Sequence, residues 1–308
     1  FVLIPLLSSL VDSNIIAGQL AKLGYLADIN KPGGSFGWDP ATQNFASWSD
    51  AIYKAYIRQI GAGAVAAGGF ITLIKTIPTI VSSFKGSIGS IKQKGVDGVN
   101  EVNVPRTERD LSIKVVGIGS LVLLLVIALL PNTLIPGTNI GSKLLLGLLV
   151  IIFGAFFVTV ASRIVGLIGS SNSPISGMTI ATLMGTCLIF IMVKWTGHIY
   201  EPMALVVGGM ICIAAANAGA TSQDLKTGYL VGATPKYQQI SLFVGAIVSS
   251  LAIGATIKIL DQPTAEMAAQ GIQHAIGTDK FPAPQGTLMA TLIKGILSFN
   301  LDWQFVLV

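Results

Sequence analysis

Apolar residues in this chain gather into long blocks and do not alternate with polar ones. A segment crossing the hydrocarbon of a bilayer needs about 20 consecutive apolar residues, within a range of roughly 17–25. Blocks at 52–81, 113–130, 144–168, 177–193, 203–221 and 240–260 meet that requirement and predict six complete spanning helices. A block before Val11 reads as a cut-off span, 287–299 as a weaker candidate, and Phe305 as the start of another. Three connections are long: 12–50 is rich in Gly, Pro, Trp and Asn, and 82–110 carries charges of both signs. The third, 261–286, holds His274 and the turn-forming Phe281-Pro-Ala-Pro284. No repeat at a fixed period stands out.

Lysine and arginine in the connections set the orientation. Strict alternation puts 82–114, 163–176 and 222–239 on one side. That side carries nine cations: Lys85, Lys92, Lys94, Arg106, Arg109, Lys114, Arg163, Lys226 and Lys236. The other side carries five, Lys22, Lys31, Lys143, Lys194 and Lys280, so the first side is expected in the cytoplasm.

Composition fixes the class. Hydrophobic residues make up 52% of the chain, charged residues 11%, and mean hydropathy is +0.74. A soluble domain carries about 25% charged residues. The expected fold is all-α, a polytopic transmembrane helical bundle with broken or re-entrant helices, forming a single transmembrane domain over 1–308. The chain starts and stops inside apolar runs, so it reads as an internal fragment of a larger membrane protein, truncated at both ends.

The net charge of +5 forms no basic stripe interleaved with aromatics, which argues against a nucleic-acid partner. Cys187 and Cys212 lie in apolar runs and read as buried small hydrophobes. His198 and His274 stand alone and read as interfacial or loop residues, so no metal site and no cofactor are expected. Arg58 and Lys75 are 17 residues apart in one block, about 25 Å along a helix, and reach opposite interfaces by snorkelling. Lys258 and Lys294 read the same way. The small-residue pairs Ala64/Gly68, Ala215/Gly219, Gly245/Ser249 and Ser250/Gly254 let helices approach closely.

Two polar constellations interrupt this pattern. The first is Ser170, Ser171, Asn172, Ser173, Pro174, Ser176 and Gly177. Gly169 is suited to close the preceding helix, and Ser173-Pro174 to cap and start the next. Irregular backbone near a membrane is tolerated inside protein or beside water. The stretch is therefore either a short surface turn or a partly unwound element offering neutral donors and acceptors to a solute. The second comprises Asn217, Thr221, Gln223, Asp224 and Lys226. An Asn in an all-small helix face needs a protein partner or water. The charges that follow make either a solvated helix exit or a gate at the cytoplasmic mouth. The functional reading has both stretches meeting at one wet compartment, with Asn172 and Asn217 facing it.

Residues 169–182 (Gly-Ser-Ser-Asn-Ser-Pro-Ile-Ser-Gly-Met-Thr-Ile-Ala-Thr) and 221–235 (Thr-Ser-Gln-Asp-Leu-Lys-Thr-Gly-Tyr-Leu-Val-Gly-Ala-Thr-Pro) resemble the bacterial branch of the oligopeptide transporter (OPT) family. Residues 56–69 and 281–290 resemble two further blocks, and all four stand in family order. The resemblance implies a long multi-span secondary carrier of the bacterial inner membrane. It also implies proton symport, with small peptides as cargo or, as in the yellow stripe-like relatives, metal chelates. Against that pattern, no Asp or Glu lies near the centre of a complete span; Glu201 and Asp224 sit at span ends. The Lys-Ile-Pro-Pro-Arg signature of the eukaryotic peptide-transporting branch is also missing.

Other classes leave no trace. There is no Gly-x-Ser-x-Gly, no His pair at ligand spacing and no carboxylate pair within a span, so an enzyme is not expected. Rings of charge that would mark a channel are missing too. Nothing in the residues fixes an oligomeric state.

Overall fold

The computed structural model describes residues 2–61 except 24, 27, 34 and 35, then scattered positions from 63 to 82, and 105–297 except 138, 171, 172, 270 and 279. The chain divides into two compact units, the first ending at Ala67 and the second beginning at Gly68.

The first unit opens with α1 (Leu3–Leu10) and α2 (Ser13–Lys22), bent by 112° across a short break. Asp12 causes the break. Its backbone is extended (φ −65°, ψ 142°), and its carboxylate accepts the Asn14 N–H at 2.8 Å, capping α2. The run before Val11 is therefore one limb of a bent pair, and α2 is a helix where the sequence suggested only a connection. A two-residue hairpin follows, β1 (Trp38–Asp39) antiparallel to β2 (Asn44–Phe45), with Trp38 opposite Phe45. Helix α3 (Trp48–Ile52) continues into a turn of π-helix, Tyr53–Ile57. Ile16, Leu20, Phe36, Trp38, Phe45 and Ile52 form the core of this unit. Trp38 Nε1 donates to the Ile29 carbonyl at 2.7 Å, and Lys54 Nζ stands 4.8 Å from the Phe36 ring centre. Arg58 ends on the Tyr25 hydroxyl at 2.8 Å.

The second unit holds α4 (Ile113–Leu129), α5 (Ile140–Ile168), α6 (Ile175–Met192), α7 (Glu201–Leu230), α8 (Pro235–Leu260), α9 (Ala265–Ala269) and α10 (Pro284–Leu297). Helices α5 and α7 pack along each other; α4 lies on α5, while α6 and α10 lie on α7. Their shared core includes Leu146, Phe157, Leu183, Phe190, Val207 and Ile211. Gly208 sits where α6 crosses α7, and a Cβ there would lie 2.3 Å from Leu183 Cδ2. At the expected pair Ala215/Gly219, Gly219 faces Val165 of α5. On α8 the outcome differs: Gly245 and Gly254 face open space, and none of that helix's apolar window is buried.

Among the described residues, four helices, α5 to α8, are long and apolar enough to cross a membrane, or five if the bent α1–α2 pair counts as one span. The chain is thus an α-helical integral membrane protein. The 52–81 block lies largely outside the described residues. One boundary differs clearly from the sequence reading: α7 does not stop near Thr221 but runs nine residues further, to Leu230. Thr221 to Thr227 contain no glycine or proline, so nothing breaks the helix where hydrophobicity ends. It closes only before Gly232 (φ +78°), and Pro235 then opens α8 at its first turn. Thirty residues span about 45 Å, so α7 outruns a hydrocarbon layer of about 30 Å.

Candidate functional site

Helix α5 closes as expected, on Gly169 in the left-handed conformation (φ +78°, ψ 11°), whose N–H returns to the Val165 carbonyl at 2.7 Å. Helix α6 begins at Ile175. Pro174 itself holds the cap position, and no side chain caps the helix, so Ser173 does not play the capping role expected of it. The Ser173 hydroxyl is buried without a hydrogen-bond partner among the described residues. Ser170 and Ser176 are exposed and Gly177 is buried. Ser171 and Asn172 lie outside the described residues.

The last turns of α7 run beside the end of α5. Ser222 Oγ lies 2.6 Å from Ser162 Oγ. Ser222 also donates to the Ala218 carbonyl at 2.9 Å, which leaves Ser162 as donor of the interhelical bond. One turn further, Lys226 Nζ donates to the Gly166 carbonyl at 2.9 Å. The last carbonyls of a helix lack partners within the helix and carry partial negative charge, so a lysine there satisfies both. The same device recurs at the other end of the layer, where Lys143 of α5 donates to the Leu130 carbonyl that ends α4.

The structure thus joins Ser162 and Gly166 of α5 to Ser222 and Lys226 of α7. Asn217 stands apart from that junction: it is exposed, and nine residues, two and a half turns, put it on the opposite side of α7 from Lys226. Thr221 and Gln223 are half-buried and Asp224 is exposed. The Asp224 carbonyl accepts the Gln238 amide at 3.2 Å. Ser162 and Ser222 escaped the sequence reading because each is a single hydroxyl among small or apolar neighbours; only the α5–α7 register pairs them.

Other connections gather at this end. Lys236 N–H donates to the Arg109 carbonyl at 2.9 Å, and Leu111 N–H to Gln239 Oε1 at 3.1 Å. Gln239 Nε2 reaches Asp110 Oδ1 at 3.2 Å. The segment before α4, the α5–α6 connection and the α7–α8 connection are the three that strict alternation placed on one side, and they share one end of the unit. Trp195 and Tyr200 stack at 5.4 Å between α6 and α7 at the opposite end, where a membrane interface favours aromatic rings.

Both histidines pair with carboxylates at that opposite end. His198 Nδ1 lies 2.8 Å from Glu201, and His274 Nδ1 lies 2.6 Å from Asp261 Oδ2. The Ile276 N–H at 3.0 Å and then His274 hold the Asp261 carboxyl below the usual carboxylate range. Among the described residues, no three His, Cys, Asp or Glu side chains come together as a metal site.

A family model described as "OPT oligopeptide transporter protein" matches residues 5–308. A Haemophilus influenzae protein named "Putative oligopeptide transporter" is 28% identical over 274 residues, which is 83% of this chain and 42% of the relative. The chain therefore spans less than half the length of the curated relative it matches. No solved structure matches the chain. The family match, running through nearly every residue of a helical membrane protein, places this chain in the OPT oligopeptide transporter family.

Proposed function

We propose that the chain is part of a secondary active transporter that moves small oligopeptides across the bacterial inner membrane, driven by proton symport. One observation carries the reading beyond family membership: the polar end of α5 and the charged end of α7 are tied together at one mouth of the bundle, through Ser162–Ser222 and Lys226–Gly166. Lysine has three N–H donors, so Lys226 retains donors for a peptide carboxylate, and Asp224 offers an acceptor for its ammonium group. Ser170, Ser173, Pro174, Ser176 and Gly177 line the pathway on one side, and Thr221 and Gln223 on the other. The nine-cation side faces the cytoplasm, as the positive-inside rule requires.

The test is uptake of labelled tri- to pentapeptides into proteoliposomes holding the full-length protein. Accumulation that needs an inward proton gradient supports peptide symport. Accumulation without one removes the proton, saturable uptake of iron chelates alone replaces peptide as cargo, and no uptake of either class ends the transport reading.

A further inference from the structure

We infer that Thr186 is a cargo-binding residue, its hydroxyl serving a neutral amide or carbonyl of a peptide backbone near the middle of the membrane. The inference rests on the transport reading above. Thr179, Thr182 and Thr186 are spaced three and four apart and so share one face of α6. It is the buried face: the three are 9%, 0% and 0% exposed, and Leu183, on the same face, meets Gly208 of α7. A stripe of small hydroxyls alone is explained by close helix packing. Two of the three hydroxyls are accounted for in that way. Thr179 Oγ1 donates to the Ile175 carbonyl and Thr182 Oγ1 to the Met178 carbonyl, each one turn back and each at 2.9 Å.

Thr186 departs from the pattern. It does not take the equivalent carbonyl of Thr182, and its Oγ1 is buried with no hydrogen-bond partner among the described residues. Buried hydroxyls in folded proteins are nearly always bonded, and an exception calls for a functional role or a partner from outside the chain. Depth agrees with such a partner. Thr186 lies eleven residues into α6 from Ile175, about 16 Å, roughly half of the hydrocarbon thickness. Carriers place solute near that level. Its buried neighbours along the face, Leu183 and Phe190, are apolar, so the group it receives is an uncharged donor or acceptor.

Thr186→Val keeps the shape of the side chain and removes the hydroxyl. In the full-length protein, thermal unfolding and uptake of labelled tetra-alanine separate the roles. The expected result is an unchanged or raised Tm together with a KM raised on the order of tenfold, while Thr186→Ser restores the KM. Unchanged uptake kinetics in Thr186→Val overturn the inference, and so does a lowered Tm, which would mean that a fixed water or the helix itself satisfies the hydroxyl. If the unaltered protein takes up no tetra-alanine, the transport reading fails first and this inference with it.

Discussion

Replacing Gly208 by Ala drives a methyl group into Leu183. The new Cβ would stand 2.3 Å from Leu183 Cδ2 and 2.7 Å from its Cγ, well inside contact distance. Leu183 is 3% exposed and packed within the core, so it has little room to yield. Overpacking of this kind costs about 1–3 kcal/mol. Exchanging glycine for alanine in a helix returns about 1 kcal/mol, so Gly208→Ala should destabilise by a net amount of up to about 2 kcal/mol. Gly209 supplies the control: a Cβ there meets nothing within 4 Å, and Gly209→Ala should leave stability unchanged or raise it by up to about 1 kcal/mol. A double-mutant cycle sharpens the test. Leu183→Ala alone costs about 2–5 kcal/mol, and with Gly208→Ala present the added methyl fills part of the hole. The pair should cost less than the sum of the singles. Reversible unfolding in mixed detergent micelles measures all four proteins. Equal effects at Gly208 and Gly209, or strict additivity with Leu183, would refute the α6–α7 register.

Three further outcomes follow from the same geometry. Lys226→Met removes the bond to the Gly166 carbonyl on an exposed surface, so it should lower stability by less than about 1 kcal/mol while clearly slowing peptide uptake; normal uptake would detach Lys226 from the pathway. Ser162→Ala and Ser222→Ala should show a coupling energy of about 0.6 kcal/mol in a double-mutant cycle of unfolding, as interhelical bonds in membranes do, and zero coupling would unpair them. Asp261 titrates below its unfolded value of about 3.9, so its contribution is present above that pH and is lost as pH falls through the lower folded value. Hydrogen-exchange protection at the Ile276 amide should therefore fall on acidification below about pH 4, and Asp261→Asn should abolish that dependence.

Hydrophobic blocks carried the placement of α4 to α8 because length and apolarity are what a bilayer selects, and Gly169 announced the end of α5 through its freedom at positive φ. Helix ends outside the hydrocarbon were harder to read. Thr221–Thr227 is polar yet free of breakers, so a hydropathy reading stops the helix where hydrogen bonding carries it on to Leu230. Asp12 looked like the start of a loop but is the cap of α2, a role that depends on its extended backbone. The polar end was visible as two separate polar stretches. Its joining was not, because Ser162–Ser222 and Lys226–Gly166 link residues 60 apart, and only the packing of α5 on α7 sets that register.

The account turns on cargo passing the junction of α5 and α7. Its most direct test is the thiol reactivity of Ser170→Cys and Lys226→Cys, each made in the full-length protein and probed from the cytoplasmic side with a membrane-impermeant maleimide. Saturating tetra-alanine should slow labelling at both positions several-fold while a non-transported control solute does not. Labelling that proceeds at the same rate with and without the peptide, in protein that accumulates it, would contradict the assignment of this mouth as the path.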